Sequence, residues 1–256
     1  MAGDLPHRPR TLRLSASLDR PSRAIGGFVA SAPPEALFVL SATAQYIGAT
    51  IAVSLFDEVS PATVAWFRVI GASIILSLVS VRHLRRRFDR RELGAIAVFG
   101  IASALMNTFF YLAIDRLPLG KSVTIEFIGP IAVAAARTRS RRNGTALVAA
   151  IVGVAILSGV EIGGEPLGLL FLFAASVMWA AYIVLGSRVA RRAGGVEGLG
   201  LGLAIGAVVI APIGAPGSGP VWSSPRLLAL CVLVGFLSNA IGYGIDQAVQ
   251  IGRAHV

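Results

Sequence analysis

Eight runs of about 20 mostly apolar residues, near 36–55, 61–80, 93–114, 119–137, 145–160, 166–187, 196–214 and 226–249, occupy most of the chain. A helix of that length rises about 30 Å, the thickness of a bilayer's hydrocarbon core. Lipid offers no hydrogen bonds, so such runs satisfy their backbones internally as helices. The expected fold is an all-α polytopic membrane protein with eight transmembrane helices. A content of 55% hydrophobic against 14% charged residues in 256 residues excludes an ordinary soluble domain.

The net charge of +10 is the balance of many nucleic-acid binders, but its placement argues otherwise. Eighteen of the 23 Lys and Arg fall in alternate connections: the N-terminal tail, residues 82–91, 137–142 and 188–192. The intervening connections FDEVS, IDRLPLGK, EIGGEP and APGSGPVWSS hold just Arg116 and Lys121. That alternation is the positive-inside signature, and it predicts a cytoplasmic N-terminus with the first helix running outward. The basic loops are expected to meet anionic lipid and no nucleic acid. Residues 1–33 lack the apolar core of a secretory signal and read as a disordered basic cytoplasmic tail; an organellar transit peptide has a similar composition.

Metal and thiol chemistry find little material. Cys231 is the sole cysteine, and His7, His83 and His255 lie in tails or a basic loop, so no disulfide, metal site or cofactor is expected. The absence of a nucleotide loop or HExxH spacing argues against a membrane-embedded enzyme.

An internal repeat is visible. NTFFYLAID (107–115) in the third span is echoed by NAIGYGID (239–246) in the eighth, each placing Asn and Tyr four apart on one helical face: Asn107 with Tyr111, and Asn239 with Tyr243. The copies lie five spans apart in order, an odd offset, so the second is inverted across the membrane, as in many secondary transporters that work by alternating access around a midplane site. Chance similarity between apolar sequences is the alternative.

The stretch LGKSVTIEFIGP (119–130) puts charge inside a span. Entered from outside at Leu119, Glu126 lies about 10 Å deep. An ionised carboxylate there costs on the order of 3 kcal/mol, so such groups face a cavity or a partner. Pro130 cannot donate to the carbonyl four residues earlier, which belongs to Glu126, and Gly129 permits close approach of a helix or ligand. Gly129 and Pro130 are therefore read as a helix break lining a site; a protonated Glu126 bonded to a neighbouring helix is the structural alternative. Arg68, seven residues inside the second span, reaches matching depth, where its planar guanidinium suits either Glu126 or a substrate carboxylate; snorkelling from the outer half of the span is the structural alternative. Lys121 lies one turn inside the boundary, where it can snorkel to the headgroups, although a substrate role stays open. Gln45, Tyr46, Trp179 and Tyr182 fall mid-span in the first and sixth helices and either line the path or pack. Asp246 reads as an interface residue. Gly198, Gly202 and Gly206 have the small-xxx-small spacing of close helix packing.

The run PLGKSVTIEFIGPIAV, with NTFFYLAIDRLPLG before it and AWFRVIGASIIL in the second span, closely resembles the threonine/homoserine exporter branch of the drug/metabolite transporter superfamily, the EamA-type permeases. The resemblance covers most of 36–250. It implies ten helices in two inverted five-helix repeats, here 34–160 and an incomplete 161–250. It also implies proton-coupled export of small metabolites, most often amino acids, from a bacterial inner membrane. The ninth and tenth helices of that pattern are not in this sequence. The final IGRAHV is what ATC-GGA-AGA-GCA-CAC-GTC encodes, a common sequencing-library adaptor followed by a stop codon, so residues 251–256 are expected to be an artefact. A genuine truncation would need a second chain, with a homodimer as one partner to consider, or would leave a non-transporting subunit. The expected partners are otherwise a small-molecule substrate, protons and the lipid bilayer.

Overall fold

The computed structural model describes residues 33–80, 88–138, 140–158, 165–192 and 196–241. The helices are α1 (Pro34–Val53), α2 (Pro61–Ser80), α3 (Arg90–Ile114), α4 in two halves (α4a, Leu119–Glu126; α4b, Ile128–Arg137), α5 (Arg141–Ser158), α6 (Pro166–Arg192), α7 (Val196–Gly214) and α8 (Pro225–Gly235). A short helix, Gly219–Ser223, precedes α8, and a π-helix, Phe236–Ile241, follows it. The expected basic tail, Tyr243, Asp246 and residues 251–256 lie outside the described residues.

Local chemistry explains the boundaries. Pro34, Pro61, Pro166 and Pro225 open their helices at a position where a missing N–H costs nothing. α3 starts three residues before the expected 93 because Asp89 and Glu92 form a reciprocal capping box: the Glu92 N–H donates to Asp89 Oδ1 at 2.7 Å and the Asp89 N–H to Glu92 Oε2 at 3.1 Å. Hydropathy alone does not see that charged first turn. α6 runs on to Arg192, past the expected 187, since arginine is a good helix former where the apolar run ends. The fourth span, expected to break at Gly129 and Pro130, is interrupted at Phe127, three residues before Pro130.

Four helices are long and apolar enough to cross a membrane, within Pro61–Leu78, Arg90–Ile114, Leu119–Arg137 and Pro166–Val189; Val39–Val53, Asn143–Gly153, Gly198–Gly214 and Pro225–Ser238 are shorter apolar helices. Large apolar side chains cover the outside, among them Leu40 and Ile47 on α1, Val148 and Ile156 on α5, Phe173 and Val177 on α6, and Val208 and Ile213 on α7. A belt of this kind is stable against lipid and not against water. The chain is a multi-pass membrane protein.

Inside the bundle, α3 packs against α6 and α7, α2 against α7 and α8, α1 against α8 and the π-helix, and α4 against α5 and α6. Glycines set the closest approach. A Cβ on Gly100 of α3 would overlap the Gly202 carbonyl, and one on Gly206 would overlap the Gly100 carbonyl, so backbone meets backbone along α3 and α7. Gly202 and Gly206 thus do what their spacing suggested. On its other flank α7 accepts three hydrogen bonds from α2: Thr63 Oγ1 to the Gly214 carbonyl (2.7 Å), Trp66 Nε1 to Ala207 (2.9 Å) and Ser73 Oγ to Gly200 (3.1 Å). These acceptors recur every seven residues, two helical turns, along one stripe of α7. The second lone pair of each carbonyl can take such a bond without breaking the helix ladder.

The buried apolar residues form two clusters, one around Ala52, Phe67, Phe110 and Val234, the other around Val69, Phe99, Tyr182 and Leu203. Between them, at the level where α2 passes from Phe67 to Val69 and α3 from Met106 to Phe110, lie the buried polar residues Arg68, Asn107, Thr108 and, on α6, Ser176.

Candidate functional site

A small cavity of about 60 Å³ opens in that polar layer, lined by Gln45, Tyr46 and Ala49 of α1, Arg68 of α2, Met106, Asn107 and Phe110 of α3, Glu126 of α4a, and Trp179 and Tyr182 of α6. It is roomy enough for a few water molecules. Arg68 and Glu126 are 5% and 8% exposed, respectively, and each lies seven residues, about 10 Å, from the start of its helix. Charged groups at such depth need a counter-charge or a polar cavity. Here they have both.

α4 presents Glu126 through its break. Phe127, the residue between the two halves, caps α4a with its N–H on the Val123 carbonyl and offers its own carbonyl to the Ile131 N–H (3.0 Å). Its ring packs against Trp179 at 5.1 Å between centroids. Two residues further, a Cβ on Gly129 would overlap the Ser176 carbonyl oxygen, so α4b lies directly on the α6 backbone. The close neighbour that Gly129 admits is a helix. From α2 the Arg68 guanidinium sits over the Tyr111 ring, 5.1 Å from its centroid, a cation–π arrangement. Asn107 Nδ2 donates to the Ser103 carbonyl of its own helix at 2.7 Å, and Gln45 Nε2 to Ser41 Oγ at 3.3 Å, which turns both amides along their helices. Tyr182 stacks on Phe99 at 5.0 Å.

Proteins of known name share this sequence pattern. The Threonine/homoserine exporter RhtA of Salmonella typhimurium (strain SL1344) is 30% identical over 221 residues, spanning 84% of this chain and 73% of the relative. The protein of that name from Escherichia coli (strain K12) is 31% identical over 207 residues, 78% of this chain and 68% of the relative. The chain belongs to the threonine/homoserine exporter branch of the drug/metabolite transporter superfamily. No family model matches the chain, and no solved structure matches it significantly.

Seven of the residues singled out in the sequence as site candidates line one cavity: Gln45, Tyr46, Arg68, Asn107, Glu126, Trp179 and Tyr182. Tyr111 is fully buried behind Arg68 and does not line it. Lys121, half-buried in the first turns of α4a, stands apart from the lining. Asn239 falls in the π-helix, where only its backbone is described, and Tyr243 lies outside the described residues. Sequence reasoning missed the apolar wall of Ala49, Met106 and Phe110, which have no chemical signature, and it missed Ser238. That serine sits one residue before the Asn239 of the repeat, and its Oγ is buried in the π-helix.

Proposed function

We propose that this chain is a secondary exporter of small amino acids, with threonine and homoserine, for which its relatives are named, as the first substrates to test. The observation that carries the reading is one cavity lined by both Arg68 and Glu126, each of them buried. A free amino acid is a zwitterion, and a cation and an anion lining one cavity can recognise both of its charges. The Arg68 guanidinium takes the carboxylate as a planar fork, and the Glu126 carboxylate takes the ammonium. Gln45, Tyr46 and Asn107 add neutral hydrogen-bonding groups for a side-chain hydroxyl.

Proton antiport follows from the same pair. A proton arriving on Glu126 from the outer face removes the charge that holds the ammonium, and substrate leaves. Loss of that proton to the cytoplasm restores the site. The break at Phe127, with Gly129 and Pro130 beyond it, supports the reading because it leaves α4 able to bend next to Glu126. The Asn107/Tyr111 and Asn239/Tyr243 echo supports two-fold alternating access, and the distribution of arginines supports a bacterial inner-membrane protein with its N-terminus in the cytoplasm.

The test is Glu126→Gln, which keeps size and hydrogen bonding while fixing the group neutral. Cells expressing the variant should export labelled threonine against a gradient at least about tenfold more slowly than the parent, the loss of one charge-assisted contact. Exchange at equal pH should be partly kept. Gradient-driven export equal to the parent's would make Glu126 structural and move the search for the proton carrier to Asp246.

A further inference from the structure

We propose that Tyr111 and Ser238 are positioning residues for Arg68, holding its guanidinium so that one N–H edge faces the cavity and receives a substrate carboxylate in two parallel hydrogen bonds. The inference rests on the carboxylate-clamp reading of Arg68 given above. It adds two residues that do not touch substrate and a reason for the π-helix.

The geometry around Arg68 is built from three helices. Tyr111 of α3 is fully buried, its ring under the guanidinium at 5.1 Å and braced edge-on by Phe56 at 5.8 Å. α8 reaches α2 at the same level: a Cβ on Gly235 would lie 2.7 Å from the Arg68 carbonyl oxygen, so the last residue of α8 packs on the arginine's own backbone. The chain then widens into the π-helix Phe236–Ile241, a geometry that re-aims side chains and is frequent at functional sites. Its third residue, Ser238, is turned onto α1 at Gly48, where any Cβ would overlap Ser238 Oγ.

The result is a buried polar corner. The Tyr111 side chain lies beside the Arg68 guanidinium, whose Cζ is 5.1 Å from the ring centroid, and near the Ser238 side chain. Neither the Tyr111 hydroxyl nor Ser238 Oγ completes a hydrogen bond in this conformation. Two buried hydroxyls in that condition are costly, and a neighbouring donor relieves them. A guanidinium carries five N–H donors in a rigid plane and no acceptor; a bidentate carboxylate occupies two of them. Under this proposal, with the carboxylate so seated, the remaining donors turn back into the bundle and donate to the Tyr111 and Ser238 oxygens. Seating a carboxylate on the cavity edge and closing these two hydrogen bonds are then one motion of one plane. Both hydroxyls lie outside the cavity lining, so they act through Arg68.

The experiment measures half-saturating concentrations for threonine and for threoninol, which lacks the carboxylate, in proteoliposomes holding the full chain. Ser238→Ala and Tyr111→Phe should each raise the threonine value about threefold to tenfold, the effect of one buried hydrogen bond, with the maximal rate held and the threoninol value unmoved. Gly48→Ala, whose methyl displaces the Ser238 hydroxyl, should reproduce Ser238→Ala and add nothing to it in the double variant. A purely structural role would shift both substrates together, or the maximal rate, and that result overturns the proposal, as does no shift at all. Arg68→Lys separates the two layers of the argument. It should erase the preference for threonine over threoninol; a preference that survives it removes the clamp itself, whatever Ser238 and Tyr111 do.

Discussion

The α3–α7 seam and the polar layer around Glu126 are both buried, and they are built on opposite rules. Along the seam Gly100, Gly202 and Gly206 have no side chains, and the two backbones touch. In the polar layer the side chains are long and charged or aromatic, and they stop short of one another around about 60 Å³ of space. Lipid supplies no hydrophobic drive between helices, so tight contact has to come from van der Waals fit between small residues. Charge at depth has to come with a cavity. The seam is where this protein is held, and the layer is where it has room to work.

The seam should break first and hardest. Gly100→Val puts a Cβ and its two methyl groups into the Gly202 carbonyl, with a backbone and no flexible side chain to yield. We expect a loss of about 3 kcal/mol or more. It should be read as a fall in melting temperature of the detergent-solubilised protein together with the loss of all export. A seam variant that exported normally would mean α3 and α7 are not in contact in the working protein.

Gly129 carries the seam's device into the layer. Gly129→Ala would overlap the Ser176 carbonyl, but α4 packs mainly on α5 and α6 and can shift outward more cheaply than α3 can. The expected cost in stability is therefore smaller, about 1 kcal/mol. Export should fall about tenfold, because small displacements of reacting groups are expensive, and here Glu126 moves with α4. Equal damage to stability and export would erase the distinction between the two regions at this residue.

Trp66 ties α2 to α7 without entering the cavity. Trp66→Phe removes the 2.9 Å bond to the Ala207 carbonyl but keeps a ring for Phe67, now 5.3 Å away, to pack on. Interhelical hydrogen bonds in membranes average about 0.6 kcal/mol. The variant should lose about that much stability with export changed less than about twofold.

The same comparison explains what could be read from the sequence alone. The spans were legible because lipid imposes a length on every one of them, and α2 and α7 begin and end where hydropathy puts them. Glu126, Arg68 and the glycines were legible because each is costly or useless in a span unless it serves a purpose. What escaped depends on tertiary placement. Ala49, Met106 and Phe110 are ordinary helix residues whose meaning comes from facing a gap. Tyr111 looked like a lining residue, since it shares a face with Asn107, yet one helical turn separates a cavity wall from the buried ring beneath Arg68. The interruption at Phe127 was anticipated from Pro130, but the residue that carries it was not. At that residue the Phe127 ring meets Trp179, a contact with no trace in local sequence.

The smallest effect is expected at Lys121, the one charged residue besides Glu126 in the first half of α4. It precedes Glu126 by five residues, about 140° round the helix, so the two point to different sides of α4a. Glu126 is the residue of α4 that lines the cavity, and Lys121 is half-buried away from it. A lysine two residues into a span reaches the headgroups along its own methylene stem, which keeps its charge wet whatever occupies the site. Lys121→Gln should leave threonine export within about twofold of the parent and stability within about 1 kcal/mol, the usual worth of an exposed charge. Export lost more than tenfold at an unchanged melting temperature would bring Lys121 to the substrate. Because 140° separates it from Glu126, that outcome would require α4a to rotate as a unit about the break at Phe127 during the transport cycle.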